Sequence, residues 1–533
     1  MTPAWPIAQF AVVHTLPTDV IQVLQAAAQP STILAALGAF VTCKVVYARW
    51  MSPVRNIPGP FYARLSALPS RIMGLFRSTN DDMIHAAAKY GPVFVMEPRK
   101  VAVCHPDDCR TILGSYTFVK DTLYSNVDFM EPNIFLTRSA ELNKQRRRQI
   151  GPALSLAGLH RMEPTILAAG PQQLMAQWDE RVREAGTGGA RVCYFYDLTL
   201  MSFDIIASLG FGQQHRSLTT GDKTIAHWVE KTFALMILQM VLPVVKRWPL
   251  RPLVSCVLGR HVDEFFAFAH HAVRQRKLEV AKGLVAAPDI LQQFIDAEDP
   301  HNKGIRMTSQ QVITETIMML LSGSDTSSTA LAWTVHLLLL YPEHHRTAVA
   351  QVRSAFAKDH TIGFDEARQH APFLEACVLE ALRVCPVSTN LPRIVPRGGV
   401  TLRNGMHVPE GYSVAVSTAA ANYDSSTWDS SCRFDPWRFD PSNPKYDANR
   451  RNLMTLSAGV RICPGRHLVL FEMVVTLANI LNRYDLELPA DALYTPSNVD
   501  ADGLPRIMPR TNLVAMVPKY PARDCNVIVS RRS

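Results

Sequence analysis

Residues 456–468 read LSAGVRICPGRHL, with Cys463 set between Gly459 and Gly465, Arg461 two residues before it and Pro464 directly after. Glycine at 459 allows a tight turn, and glycine at 465 admits a close backbone approach where a Cβ would intrude. Pro464 has no N–H and fixes the chain direction beyond the cysteine. The run RHLVLFEMVVTLANIL (466–481) is apolar almost all round and predicts a buried helix. Cys463 therefore stands just before a helix N-terminus, where the dipole and free N–H groups favour thiolate over thiol. Such a sulfur serves as nucleophile, redox group or metal ligand. No His-Cys motif suggests a papain-like partner, so metal ligation leads.

The other nine cysteines form no Cys-x-x-Cys pair, which argues against a zinc ribbon or a thioredoxin-type site. They read as reduced, mostly buried small hydrophobes. The formal charge of +9 points to an acidic partner, whether lipid, nucleic acid or protein. The basic run at 146–148 lacks any accompanying aromatic-rich or zinc module, so nucleic acid is not expected.

Asp19 is the only charged residue before Lys44. An apolar stretch at 31–48 comes close to the roughly 20 residues of a membrane span. Lys44, Arg49, Arg55 and Arg64 follow or close it, which by the positive-inside rule predicts that the bulk of the chain lies on the cytosolic side. A cleaved signal peptide would need a basic segment ahead of the apolar run. The expected organisation is a short lumenal segment (1–30), an anchor (31–48), a proline-rich elbow (49–60) around RNIPGP, one large domain (61–518) and a basic C-terminal tail (519–533).

Within that domain the patterns are mainly helical, with short strand candidates at 101–105 and 413–418 and no βα alternation, so a doubly wound sheet is not expected. The best-marked helix opens at Thr308, with Gln311 completing a capping box, and stops at Pro342. Its centre, SGSDTSST (322–329), holds poor helix formers and an acid. Two explanations stand side by side: a site in the helix, or hydroxyls bonding back to carbonyls one turn earlier.

Taken together, the residues carry a resemblance. GVRICPG resembles the proximal cysteine loop of the haem-thiolate monooxygenases, the cytochrome P-450 superfamily, with Leu456 where that family usually has Phe. SGSDTS is similar to its oxygen-activating helix motif, EALR (380–383) to its Glu-x-x-Arg pair, and PWRF (436–439) to the segment whose arginine completes that ion cluster. NLPRIV and QRRRQIGPALS also look like family segments, with Asn143 where Trp or His is usual.

The resemblance implies a mainly α fold with small β-sheets, microsomal and of fungal type, holding haem b. Cys463 would be the axial thiolate, beside Gly465, and Arg147, Arg393 and Arg461 would contact the propionates. Asp325 and Thr326 would relay protons beside a gap in the helix, and Glu380, Arg383 and Arg438 would form a scaffold ion cluster. It further implies monooxygenation of a small apolar or aromatic molecule, in specialised metabolism, with NADPH acting through NADPH–cytochrome P-450 reductase and cytochrome b5 as a possible second donor. The location implied is the endoplasmic reticulum membrane, single-pass. Rival readings are a same-fold isomerase or dehydratase needing no reductase, and a haem protein that binds a ligand without turnover.

Three finer expectations follow. The substrate pocket should be built from 115–135, 205–260, 388–394 and 505–512. The uncharged run Thr232–Val245, flanked by Lys246, Arg247 and Arg251, should either dip into a membrane surface or line that pocket. On the basic helix, Arg147 should turn inward, while Lys144 and Arg148 share an exposed face for an acidic reductase.

Overall fold

The computed structural model describes residues 30–70, 78–212, 216–284, 289–302, 304–512 and 515–532. Two compact units are present, residues 1–56 and 57–533. The expected lumenal segment lies outside the described residues except for Pro30.

In the first unit, helix α1 (Pro30–Val46) runs on into a π-turn at Tyr47–Met51. It buries none of its residues, and Leu34, Leu37 and Phe40 stand exposed. A helix that is apolar all round and uncovered suits lipid. The 22 residues Pro30–Met51 are long and apolar enough to cross a membrane.

The second unit is built on α2 (Ala140–Ile150), α3 (Tyr194–Phe211), α4 (Thr224–Val241), α5 (Arg260–Ala281), α6 (Ser309–Leu340), α7 (Phe373–Val384) and α8 (Arg466–Arg483). Helix α6 starts at the Thr308–Gln311 capping box and is buried along most of its length. Glycines let α3 lie close against it: a Cβ at Gly323 would sit 3.1 Å from the Ile206 side chain. The gap expected at 322–329 is absent, and α6 runs through unbroken. Ser322 donates to the Met318 carbonyl at 2.7 Å, Ser324 to Leu320 at 3.0 Å and Thr326 to Ser322 at 2.5 Å. Back-bonded hydroxyls are satisfied inside the helix, so they need not interrupt it.

Strands β1 (Val93–Glu97), β2 (Lys100–Val103), β3 (Asn390–Ile394) and β4 (Ser413–Ser417) make a sheet in the order β1-β2-β4-β3, with β2 and β4 parallel. Segment 119–121 continues it beside β3, through Ile394 N–H to the Val119 carbonyl at 2.8 Å, and places Lys120 opposite Arg393.

The expected C-terminal tail is a correction. Residues Asn526–Arg531 form the middle strand of a three-stranded sheet, between Ala190–Cys193 and Tyr484–Glu487. Val527 and Val529 are fully buried on one face, an alternation of period two. Arg531 pairs with Asp179 at 2.9 Å. Arg531 is thus ion-paired at the end of a core strand, and Arg532 beside it donates to Asn482 Oδ1 at 2.8 Å. The fold is mainly helical with small sheets, as expected.

Candidate active site

One cavity of about 1610 Å³ is walled by α4, α6, the start of α8 and strand β3. Cys463 lies in its lining, three residues before α8. Its N–H donates to the Leu456 carbonyl at 3.0 Å, closing the loop over the Gly459–Arg461 turn. Gly459 has φ +68°, and a Cβ there would run into the Leu113 carbonyl, so only glycine fits. At Gly465 a Cβ would meet no protein atom within 4 Å. That position opens on the cavity.

The expected thiolate bias is outweighed. Burial pushes the Cys463 thiol up, against the lowering effects of the Gly465 N–H and of the Arg147 and Arg466 charges. A metal ligated there must therefore displace a proton.

Arg147, Arg393 and Arg461 all line the cavity, together with Lys120. Arg461 donates to the Thr137 carbonyl at 2.9 Å and to the Arg138 and Ser139 carbonyls at 3.2 Å. Arg147 donates to the Ile462 carbonyl and, at 3.3 Å, to Asn143 Oδ1. Arg393 reaches the Pro392 carbonyl at 3.0 Å. The Lys120 ammonium donates to the Phe135 carbonyl and lies 4.3 Å from the Tyr124 ring centre.

Among the described residues none of these four cations pairs with a carboxylate. Burial, and then one another's charges, push Lys120 well below its ordinary value and Arg461 down to about 10. Crowded cations without anions, beside a cysteine, fit a group with two carboxylates and a metal centre. The residues present fit haem b, with its two propionates at the cationic edge.

Asp325 and Thr326 line the same cavity from α6. Burial, and to a lesser degree Glu230 on α4, push the Asp325 carboxyl up to about 6. One end of the chamber also holds Glu315, which accepts from Ile134 N–H at 3.0 Å and pairs with Arg146 at 3.2 Å. Burial pushes its carboxyl up to about 7.

Behind the site the scaffold cluster assembles as expected. Glu380 and Arg383, both wholly buried, form two bonds at 2.7 and 2.8 Å, and Arg438 Nε stands 3.4 Å from Glu380. Arg383 also donates to the carbonyls of Asn422, Ser431 and Arg433 at 2.7–2.9 Å.

The sequence pattern described as Cytochrome P450 matches residues 68–504. The chain belongs to the cytochrome P450 family. It is 39% identical to the Cytochrome P450 monooxygenase helB1 of Aspergillus fumigatus, over 94% of this chain and 86% of that protein. Versicolorin B desaturase of Dothistroma septosporum is 26% identical over 85% of this chain and 87% of its own. The crystal structure of the cytochrome P450DA heme domain superposes with a TM-score of 0.71 at 18% identity, covering 85% of this chain and 93% of that one. This P450 is an oxidoreductase of the monooxygenase class.

Two expectations about the P450 need revision. Arg148 is not a free docking charge: it holds the buried Asp299 through two bonds at 2.7 and 2.8 Å. Only Lys144 remains of that pair, stacked 5.1 Å over Tyr116. Segment 505–512 does not line the cavity among the described residues, since Met508 is buried and its N–H is bonded to His336 at 3.2 Å. Residues at 79–97 take part in the lining instead.

Lys120, Glu230 and the Arg146–Glu315 pair escaped the sequence. Lys120 carries no motif. Glu230, by contrast, was readable, because it lies three and four residues ahead of Phe233 and Ala234 on one helical face. Asn143 departs from the family's usual residue, and its Oδ1 accepts from Tyr116 OH at 2.9 Å.

Proposed function

We propose that the P450 inserts one oxygen atom from O2 into an apolar or aromatic small molecule of specialised metabolism, taking electrons from NADPH through a membrane reductase. The observation carrying this reading is that Cys463, the cationic edge and the Asp325–Thr326 pair all open on one largely apolar cavity. Phe135, Phe233, Ile237, Met318 and Met319 supply apolar wall. The relatives with monooxygenase and desaturase names are fungal enzymes, which supports the pathway class.

Haem b, when bound, supplies dioxygen activation at its iron. The chain's own residues do the rest. Cys463 would ligate the iron, and Arg147, Arg393 and Arg461 would hold the propionates. Asp325, with its carboxyl at about 6, exchanges protons close to neutral pH. Thr326 spends its proton on the Ser322 carbonyl and keeps oxygen lone pairs free to orient a proton donor in the cavity.

Thr326→Ala tests the relay. With reductase present, NADPH should still be consumed and haem content should stay normal. Product per NADPH should fall roughly tenfold or more, with hydrogen peroxide released instead. Unchanged coupling would leave Thr326 as an ordinary helix residue. No NADPH consumption by the parent protein would favour the isomerase or ligand-binding readings.

The proposed location is the endoplasmic reticulum membrane, with one span and a cytosolic catalytic unit. The Thr232–Val245 run divides its labour: Phe233, Ile237 and Leu238 face the cavity, whereas Val244 is 50% exposed. Beyond it Trp248, Leu253 and Val257 are 86%, 63% and 60% exposed, close in sequence to Lys246, Arg247 and Arg251. Apolar side chains next to basic ones suit a lipid interface. A chain lacking residues 1–54 should still sediment with anionic vesicles; full solubility without vesicle binding would remove this second contact.

A further inference from the structure

Residues 126–139 form an irregular segment, and Asn126, Ile134 and Phe135 stand in the cavity lining. Backbone outside helix and sheet must find its hydrogen-bond partners elsewhere. Here they come from several elements. Ile134 N–H donates to both carboxylate oxygens of Glu315 on α6, at 3.0 and 3.2 Å. The Ile134 carbonyl accepts from Asn143 Nδ2 on α2 at 3.2 Å, and the Phe135 carbonyl accepts from the Lys120 ammonium. Phe135 N–H and Leu136 N–H both donate to Asn133 Oδ1, at 3.0 and 2.9 Å. The Phe135 ring meets the Tyr124 ring edge-on at 5.7 Å, with the Lys120 ammonium 4.8 Å from its centre.

Glu315 is the partner that reaches furthest. It is buried, lies 181 residues from Ile134 in sequence and belongs to the cavity lining itself. Its carboxylate also pairs with the buried Arg146 of α2 at 3.2 Å. One carboxylate therefore joins the wall segment, α2 and α6. Asp325 follows on the same helix, about 15 Å further along at the helical rise. Wall and acid are thus anchored on one helix.

We propose that Glu315 is a positioning residue for the substrate: it fastens the Ile134–Phe135 wall to α6, so that the Phe135 ring meets the substrate as a preset face. A side chain ordered beforehand loses no further freedom when a ligand packs on it. An aromatic ligand gains ring contact there as well. Removing the carboxylate would take the shared acceptor from the Ile134 N–H and from the buried Arg146, and the segment would have to shift to answer them. The two ties differ in what they need. Arg146 needs charge, whereas the N–H needs only an oxygen at the right reach. Burial pushes the Glu315 carboxyl up to about 7, so near neutral pH part of it is uncharged and still presents an oxygen to Ile134.

The inference rests on the haem-cavity reading, which is tested first on the full-length haem-loaded protein by the ferrous carbon monoxide spectrum and by the band shift with imidazole. Absence of both marks a failure of that reading. Imidazole is too small to need the wall. 1-Phenylimidazole offers the same nitrogen to the iron and adds a ring, so the parent should bind it about tenfold tighter or more. Glu315→Leu should reduce that advantage about tenfold. It should leave the imidazole affinity unchanged and speed amide hydrogen exchange at Ile134. Phe135→Ala should reduce the advantage by as much, and the double variant no further, because both changes remove one face. Glu315→Gln, which keeps an oxygen at the same reach, should retain most of it. Glu315→Asp, one methylene shorter, should lose it, and this variant decides the matter if leucine prevents haem loading. An advantage absent from the parent, one that survives Glu315→Leu or Glu315→Asp, or losses that add in the double variant overturn the proposal.

Discussion

Replacing Cys463 with alanine is expected to leave a folded chain whose ferrous carbon monoxide complex has lost the red-shifted thiolate band entirely. The sulfur faces a cavity rather than a packed core, so truncation removes few contacts. Helix α8 keeps its own burial through Leu468, Phe471, Val474 and Leu477. The cationic edge also remains, and haem should still associate through Arg147, Arg393 and Arg461, though more weakly. Spectra of the purified variant and its haem-to-protein ratio check both parts. A thiolate band that persists in the variant would assign the ligand to another cysteine. That outcome is opposed by geometry, because the cavity lining contains no cysteine other than Cys463 among the described residues.

Arg383→Leu is expected to be the most destabilising single change outside the site. Arg383 is wholly buried, and its guanidinium answers Glu380 and three backbone carbonyls at once. Leucine removes every donor. Glu380 would then keep Arg438 at 3.4 Å and the Asp435 N–H at 3.0 Å, too few partners for a buried carboxylate. Breaking a buried pair on one side costs about 3–5 kcal/mol, a large share of the roughly 5–15 kcal/mol that holds a domain folded. The urea midpoint should fall accordingly, and soluble yield with it. A midpoint equal to that of the parent would mean that the cluster is not a scaffold.

These two residues were legible in the sequence for a shared reason. Each sits in a short segment whose local chemistry is self-contained: a glycine-flanked turn before an apolar helix, and a Glu-x-x-Arg pair on one helical face among apolar neighbours. The same holds for the Thr308 cap of α6 and for the uncovered apolar helix near the N-terminus. Each shows a local pattern that spacing and residue type display directly, although the Arg383 guanidinium is completed by carbonyls 39 to 50 residues away.

Other features depended on segments distant in sequence. Arg147 and Arg148 are neighbours in one basic run, yet one lines the cavity and the other neutralises Asp299, 151 residues away. Lys120 enters the cationic edge only because residues 119–121 pair alongside β3. The C-terminal residues look like a charged tail until Val527 and Val529 are seen buried between two other strands. Spacing along the chain therefore specified the helices, the cysteine turn and the chemistry they are fit for. Which charges stay unpaired was decided only by folding, because a charged group's state depends on the groups brought beside it and on how much water is removed.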